Sequence, residues 1–128
     1  MNWPLLGLVM LGGALGAGMR HLIGGWLLVR IGHGLPWGTL AANLLGAFAA
    51  GFLFAWLEGR GPAALYWRAF LIVGLLGALT TFSALMLESM LYARSGRLGA
   101  YGGYLALSLA GGFLLVWLGA RAGTLLRA

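Results

Sequence analysis

Cysteine is absent from this 128-residue chain, which excludes disulfides, thiol nucleophiles and thiolate metal sites. Acid is almost absent: Glu58 and Glu88 are the only carboxylate side chains, and His21 and His33 the only imidazoles. That is too few for a carboxylate or histidine catalytic centre, so the expectation is a protein that is not an enzyme. Charge of any sign is scarce at 8% of residues, against about a quarter in soluble domains. The net charge of +6 is carried by Arg alone. These Arg are scattered at the ends of apolar segments, where they meet lipid headgroups, so nucleic acid is not an expected partner. A signal peptide is not expected either. Met1-Asn2-Trp3-Pro4 carries no basic residue, and the apolar run behind it outlasts a signal-peptide core.

What the chain does contain is apolar length. Hydrophobic residues make up 62% of it, and the mean hydropathy is +0.96. A spanning helix needs about 20 mainly apolar residues. Such runs extend from about Pro4 to Val29, Pro36 to Leu57, Ala64 to Tyr92, and Ala100 to Leu118 or a little beyond. The breaks are short and rich in turn formers: Arg30 to Pro36, Glu58 to Pro62, and Arg94 to Arg97. The expected architecture is an all-α integral membrane protein with four spans, forming a single domain over residues 1–128.

Four spans put both termini on one side, together with the Glu58–Pro62 turn. That side holds Arg60, Arg68, Arg121 and Arg127, and the other holds Arg30, Arg94 and Arg97. Arg asymmetry normally orients a membrane protein, and here it nearly vanishes. Two readings stand. The count is too small to decide, or the chain inserts both ways round and forms an antiparallel homodimer. Glycines spaced by four (Gly12 and Gly16, Gly99 and Gly103, Gly119 and Gly123) add an expectation of close helix packing, within an oligomer of this small chain.

Polar residues inside the spans are the candidates for function. The run Gly77-Ala78-Leu79-Thr80-Thr81-Phe82-Ser83 interrupts the third span. Gly and β-branched Thr weaken a helix, and broken backbone at membrane depth occurs where it is buried in protein or lines a wet cavity. Asn43 in the second span is either a pore-facing amide that donates to an anion or an interhelical hydrogen bond. Thr39 lies one turn earlier on the same face, its hydroxyl expected on its own helix backbone. Tyr104 and Ser108 share a face of the fourth span, although such a Ser usually bonds its own helix. Arg20 is the one charge well inside a span and either draws an anion into a vestibule or snorkels to the headgroups. Glu88 is expected near the end of the third span, where it could pair with an Arg or take a proton-coupled role. The Phe82 ring is either core packing or a pore lining that offers its positive edge to an anion.

Three motifs then converge. Gly12-Gly13, Gly16-Ala17 and Arg20, then Gly38-Thr39-Leu40, Asn43 and Gly46, then Gly77 and Thr80-Thr81-Phe82-Ser83, fall in order and at matching spacing in three of the four spans. Together they resemble the Fluc fluoride channels, also called CrcB. The resemblance implies an antiparallel, dual-topology homodimer with two pores that exports fluoride passively across the bacterial cytoplasmic membrane. It implies a central Na⁺ at the dimer interface, held by the backbone carbonyls of Gly77 and Thr80 where the third helix breaks. It assigns the pore to Asn43, Phe82, Ser83, Tyr104 and Ser108. The chain departs from the pattern after Ser83: Ala84 and Leu85 stand where the family places Thr and a second pore Phe. Two rival readings remain at this point. One is a small dual-topology, proton-coupled multidrug exporter, which would need an acid embedded in the membrane. The other is a purely structural four-helix membrane protein.

Overall fold

The computed structural model describes residues 1–127, all of whose regular structure is helical. α1 (Trp3–Ile31) starts where the Asn2 side chain accepts a hydrogen bond from Leu5 N at 3.2 Å. It ends at Gly32, whose φ of 95° lets the chain turn. α2 (Trp37–Trp56) follows Pro36. The third span begins as α3 (Ala63–Trp67), widens into a π-helical segment (Arg68–Leu76), and closes with α4 (Gly77–Leu79). The backbone is extended at Thr80 and Thr81 and becomes helical again as α5 (Phe82–Arg94). α6 (Leu98–Arg127) completes the bundle.

Four helical stretches are long and apolar enough to cross a membrane: Trp3–Ile31, Trp37–Trp56, Ala63–Arg94 and Leu98–Arg127. The expected spans are therefore present, and the third is broken where its composition indicated. The fourth runs further than expected. Arg121 does not end it, because its guanidinium lies 5.4 Å from the centre of the Trp117 ring and its aliphatic stem can cover apolar surface while the charge reaches water.

The two ends of the bundle are tied differently. At one end, Arg127 Nη1 donates to Ala55 O and Glu58 O, each at 3.3 Å, and pairs with Glu58 Oε2 at 3.3 Å. The end of α6 thus lies beside the α2–α3 turn, on the side expected for an even number of spans. At the other end, Tyr92 Oη and Arg97 Nη2 both donate to Gly34 O, at 3.3 and 3.0 Å, joining the α5–α6 turn to the α1–α2 turn.

Close backbone approach sets the packing. A Cβ on Gly12 or Gly16 would collide with the backbone of Phe70 or Leu75, so α1 lies directly on the π-helical segment. Gly119 and Gly123 lie in the same way on the backbone of Phe48 and Phe52, seating α6 on α2. Two of the three spaced glycine pairs therefore pack helices within one chain rather than between copies, whereas Gly99 and Gly103 meet nothing nearby. Small residues do this work in lipid, where apolar burial between helices brings little gain.

Candidate functional site

Thr80 (φ −86°, ψ 151°) and Thr81 (φ −148°, ψ 119°) are both extended. Two extended residues inside a span leave main-chain groups without helical partners, and in lipid each such group must be satisfied by protein or by water in a cavity. Side chains from α1, from α2 and from the break itself take up this task. From α2, Asn43 Oδ1 accepts from Thr81 N at 2.7 Å while its Nδ2 donates to Thr81 O at 3.2 Å. From α1, Arg20 Nε donates to Ala78 O at 3.2 Å. Thr81 caps α5 itself, its Oγ1 accepting from Ala84 N at 3.2 Å, as Thr commonly does at a helix start. Thr80 Oγ1 turns back to Leu76 O at 2.9 Å.

In an unbroken α-helix each N–H bonds the carbonyl four residues earlier. The N–H of Thr81 would then occupy Gly77 O, and that of Ala84 would occupy Thr80 O. Both are diverted here, one to Asn43 and the other to the Thr81 hydroxyl. Gly77 and Thr80 thereby lose their amide partners. Both also line an open depression of about 400 Å³, together with Asn43, Gly46, Thr81 and Phe82. Ala78, whose carbonyl Arg20 holds, is not part of that wall. Gly46 is required for close approach, because a Cβ there would meet the Thr80 methyl group.

Each expected site residue has a definite place. Asn43 makes the interhelical hydrogen bond of its two readings, to main chain rather than to another side chain. Arg20 turns inward to Ala78 O and does not snorkel. The Phe82 ring is 72% exposed, so it does not pack in the core of its own chain. Ser83 Oγ lies 3.2 Å from Thr81 Oγ1, on the exposed side of the break. Leu85, by contrast, is only 6% exposed and clusters with Leu40 and Tyr104.

A second polar group lies beside the first. Glu88 accepts two hydroxyl donors, Thr39 Oγ1 and Tyr104 Oη, each at 2.8 Å. It therefore joins α2, α5 and α6 through its carboxylate. Two expectations are corrected. The Thr39 hydroxyl bonds Glu88 and not its own helix, and Glu88 has hydroxyl partners and not an Arg. Among the described residues the one ion pair is Arg127 with Glu58. Tyr104 is 3% exposed. One turn further, Ser108 Oγ is buried without any hydrogen-bond partner, so it does not bond its own helix as expected. Ser89, adjacent to Glu88, has a second buried hydroxyl without a partner. Sequence reading missed it, because a lone Ser next to a Glu carries no distinguishing spacing.

The two groups are linked by space. A hollow of about 390 Å³ is lined by Arg20, His21, Gly24, Leu28, Gly38 and Thr39. A neighbouring one of about 200 Å³ shares Gly24, Leu28, Gly38 and Thr39 and reaches Glu88. His21, singled out only as one of two imidazoles, thus borders the same hollow as Arg20. No cluster of His, Asp or Glu suited to a metal occurs among the described residues. The oxygens at the break are carbonyls, and neutral oxygen donors suit hard cations and not soft ones.

A four-span bundle with a clamped interruption in its third span, bordered by a depression that Gly77 and Thr80 help to line, defines a small membrane protein of the channel or transporter type. The chain belongs to the CrcB-like protein family (Camphor Resistance, CrcB), whose family model matches residues 7–120. It is similar to the fluoride-specific ion channel FluC of Xylella fastidiosa (strain 9a5c), at 57% identity over 121 residues, 94% of this chain and 85% of that relative. The fluoride-specific ion channel FluC of Xanthomonas euvesicatoria pv. vesicatoria (strain 85-10) is 54% identical over 94% of this chain and 91% of its own length. That of Rhizobium meliloti (strain 1021) is 40% identical over 93% and 94%.

Proposed function

We propose that the chain is a fluoride-selective channel of the bacterial cytoplasmic membrane, working as an antiparallel homodimer with two pores and a central Na⁺. The observation that carries this reading is the diversion of two amides from Gly77 O and Thr80 O, in a chain whose relatives are named fluoride-specific ion channels. Two carbonyls are too few for a hard cation, which takes several oxygen ligands. A second copy across a two-fold axis would double the number, and that need supports the dimer. A hard cation would supply positive charge to satisfy carbonyl oxygens left without amide partners. Gly77 and Thr80 would supply its ligands.

The remaining residues fit passage of a small, strongly hydrated anion. A filter replaces the hydration shell with fixed donors and must not trap the ion. The Arg20 guanidinium draws an anion toward the hollow it borders. The exposed Phe82 ring offers a positive edge, and Ser83 places a hydroxyl beside it. Tyr104 spends its proton on Glu88, whereas the Ser108 proton has no protein acceptor and is available to an anion. Asn43 commits one N–H of its amide nitrogen to Thr81 O; that nitrogen carries two, so the second can face fluoride. Leu85 contributes apolar packing at this level and no second ring. Family membership speaks against the multidrug exporter.

Anion release from proteoliposomes tests the proposal. Fluoride is expected to leave with no dependence on a proton gradient while chloride stays inside. Equal release of both anions, or release only when a proton gradient is imposed, would contradict it.

A further inference from the structure

We infer that Arg20 is a positioning residue of the cation site: by holding the Ala78 carbonyl, it decides which carbonyls of the broken helix face the cation. The inference rests on the reading of Gly77 and Thr80 as the cation's ligands. Four carbonyls, Gly77 to Thr80, lose the N–H partners that an unbroken helix would supply. A cation at the break would meet any of them that turned inward. The Ala78 carbonyl is removed from that choice by Arg20 Nε at 3.2 Å, a charge-assisted hydrogen bond and so one of the stronger kind. Neither Ala78 nor Leu79 lies in the wall of the depression, while Gly77 and Thr80 do; of the two outside it, Ala78 is the one whose carbonyl a side chain from another helix holds.

The approach of Arg20 is itself prepared. Gly12, Gly16 and Arg20 recur every four residues and so form one stripe along α1. Gly12 lies on the Phe70 backbone, Gly16 on the Leu75 backbone, and Arg20 reaches Ala78. The stripe follows the third span down to its break. The two glycines bring α1 close enough for the guanidinium to reach a main-chain carbonyl rather than solvent. The planar guanidinium then keeps its remaining N–H groups for the hollow it shares with His21 and Thr39.

A charge and a positioning role have opposite signs in their effect on Na⁺. If Arg20 acted only as a positive charge, its removal would strengthen cation binding or leave it unchanged. If it positions the break, its removal frees Ala78 O, disorders the ligand set and weakens cation binding. The test is thermal unfolding of the full chain in detergent, titrated with Na⁺ against N-methylglucamine, for wild type, R20Q and R20K. Wild type is expected to be stabilised by Na⁺ specifically. In R20Q the Na⁺ concentration at half-effect is expected to rise about tenfold, in line with loss of one charge-assisted hydrogen bond. R20K, which keeps a donor and a charge, is expected to stay within about threefold of wild type. A wild-type or lower half-effect concentration in R20Q overturns the inference even if its fluoride flux falls. Should R20Q fail to fold, R20K carries the test, and a tenfold loss there overturns it. Absence of any Na⁺-specific stabilisation in wild type would remove the cation reading itself, and this inference with it.

Discussion

The two polar groups of this membrane bundle are built on opposite plans. At the break, side chains serve main chain: Asn43 holds both polar groups of Thr81, and Arg20 holds Ala78 O. At Glu88, side chains serve each other, the carboxylate gathering the Thr39 and Tyr104 hydroxyls. The first plan fixes backbone geometry and leaves chosen carbonyls open. The second leaves the backbone intact and ties three helices through groups that can exchange partners. The comparison teaches that an interruption in a span is stable only when its orphaned main-chain groups are assigned.

Asn43→Ala is the severest way to break the comparison. It orphans the N–H and the C=O of Thr81 together, at about 1–3 kcal/mol for each buried group. A loss of roughly 2–6 kcal/mol is expected in chemical unfolding in detergent. A loss below that of a single surface hydrogen bond would mean that water serves the break instead. Gly46→Ala comes next, because the new methyl group meets the Thr80 methyl. Overpacking of this kind costs about 1–3 kcal/mol, and displacement of Thr80 should slow ion release as well. Tyr104→Phe removes one of two hydroxyls from Glu88 and leaves the backbone untouched. Bonds to charged groups are worth about 1.5–3 kcal/mol, but Thr39 remains to serve the carboxylate, so the lower end is expected. A larger effect than that of Asn43→Ala would invert the comparison. Glu58→Gln is the control: its pair with Arg127 sits at the bundle end, and such pairs contribute about 0–1 kcal/mol.

Much of the architecture was legible in the sequence. The four apolar runs, their short turns and the interruption at Gly77 to Ser83 all follow from local composition. The partners at the interruption do not. Asn43 and Thr81 lie 38 residues apart and Arg20 and Ala78 lie 58 apart, so only the fold brings them together. Asn43 could be narrowed to two roles because an amide in lipid must be paired. Its actual acceptor and donor, one residue's main chain, left no mark in the spacing. The Thr39 hydroxyl was expected on its own helix because that is the nearest acceptor, and a carboxylate from a helix 49 residues away outcompeted it. Leu85 was marked only by its place in the motif; it borders the same depression as Phe82 while packing with Leu40 and Tyr104, a contact that spacing alone does not show. The π-helical stretch Arg68–Leu76 was also hidden, since its residues read as an ordinary apolar helix.

The most direct test of the central claim, that the clamped break is needed for fluoride passage, is anion release from liposomes carrying wild type or Asn43→Ala at equal reconstituted protein. Wild type is predicted to release fluoride and retain chloride, and Asn43→Ala to lose fluoride release while remaining in the membrane. Selective fluoride release at the wild-type rate from Asn43→Ala would contradict the account.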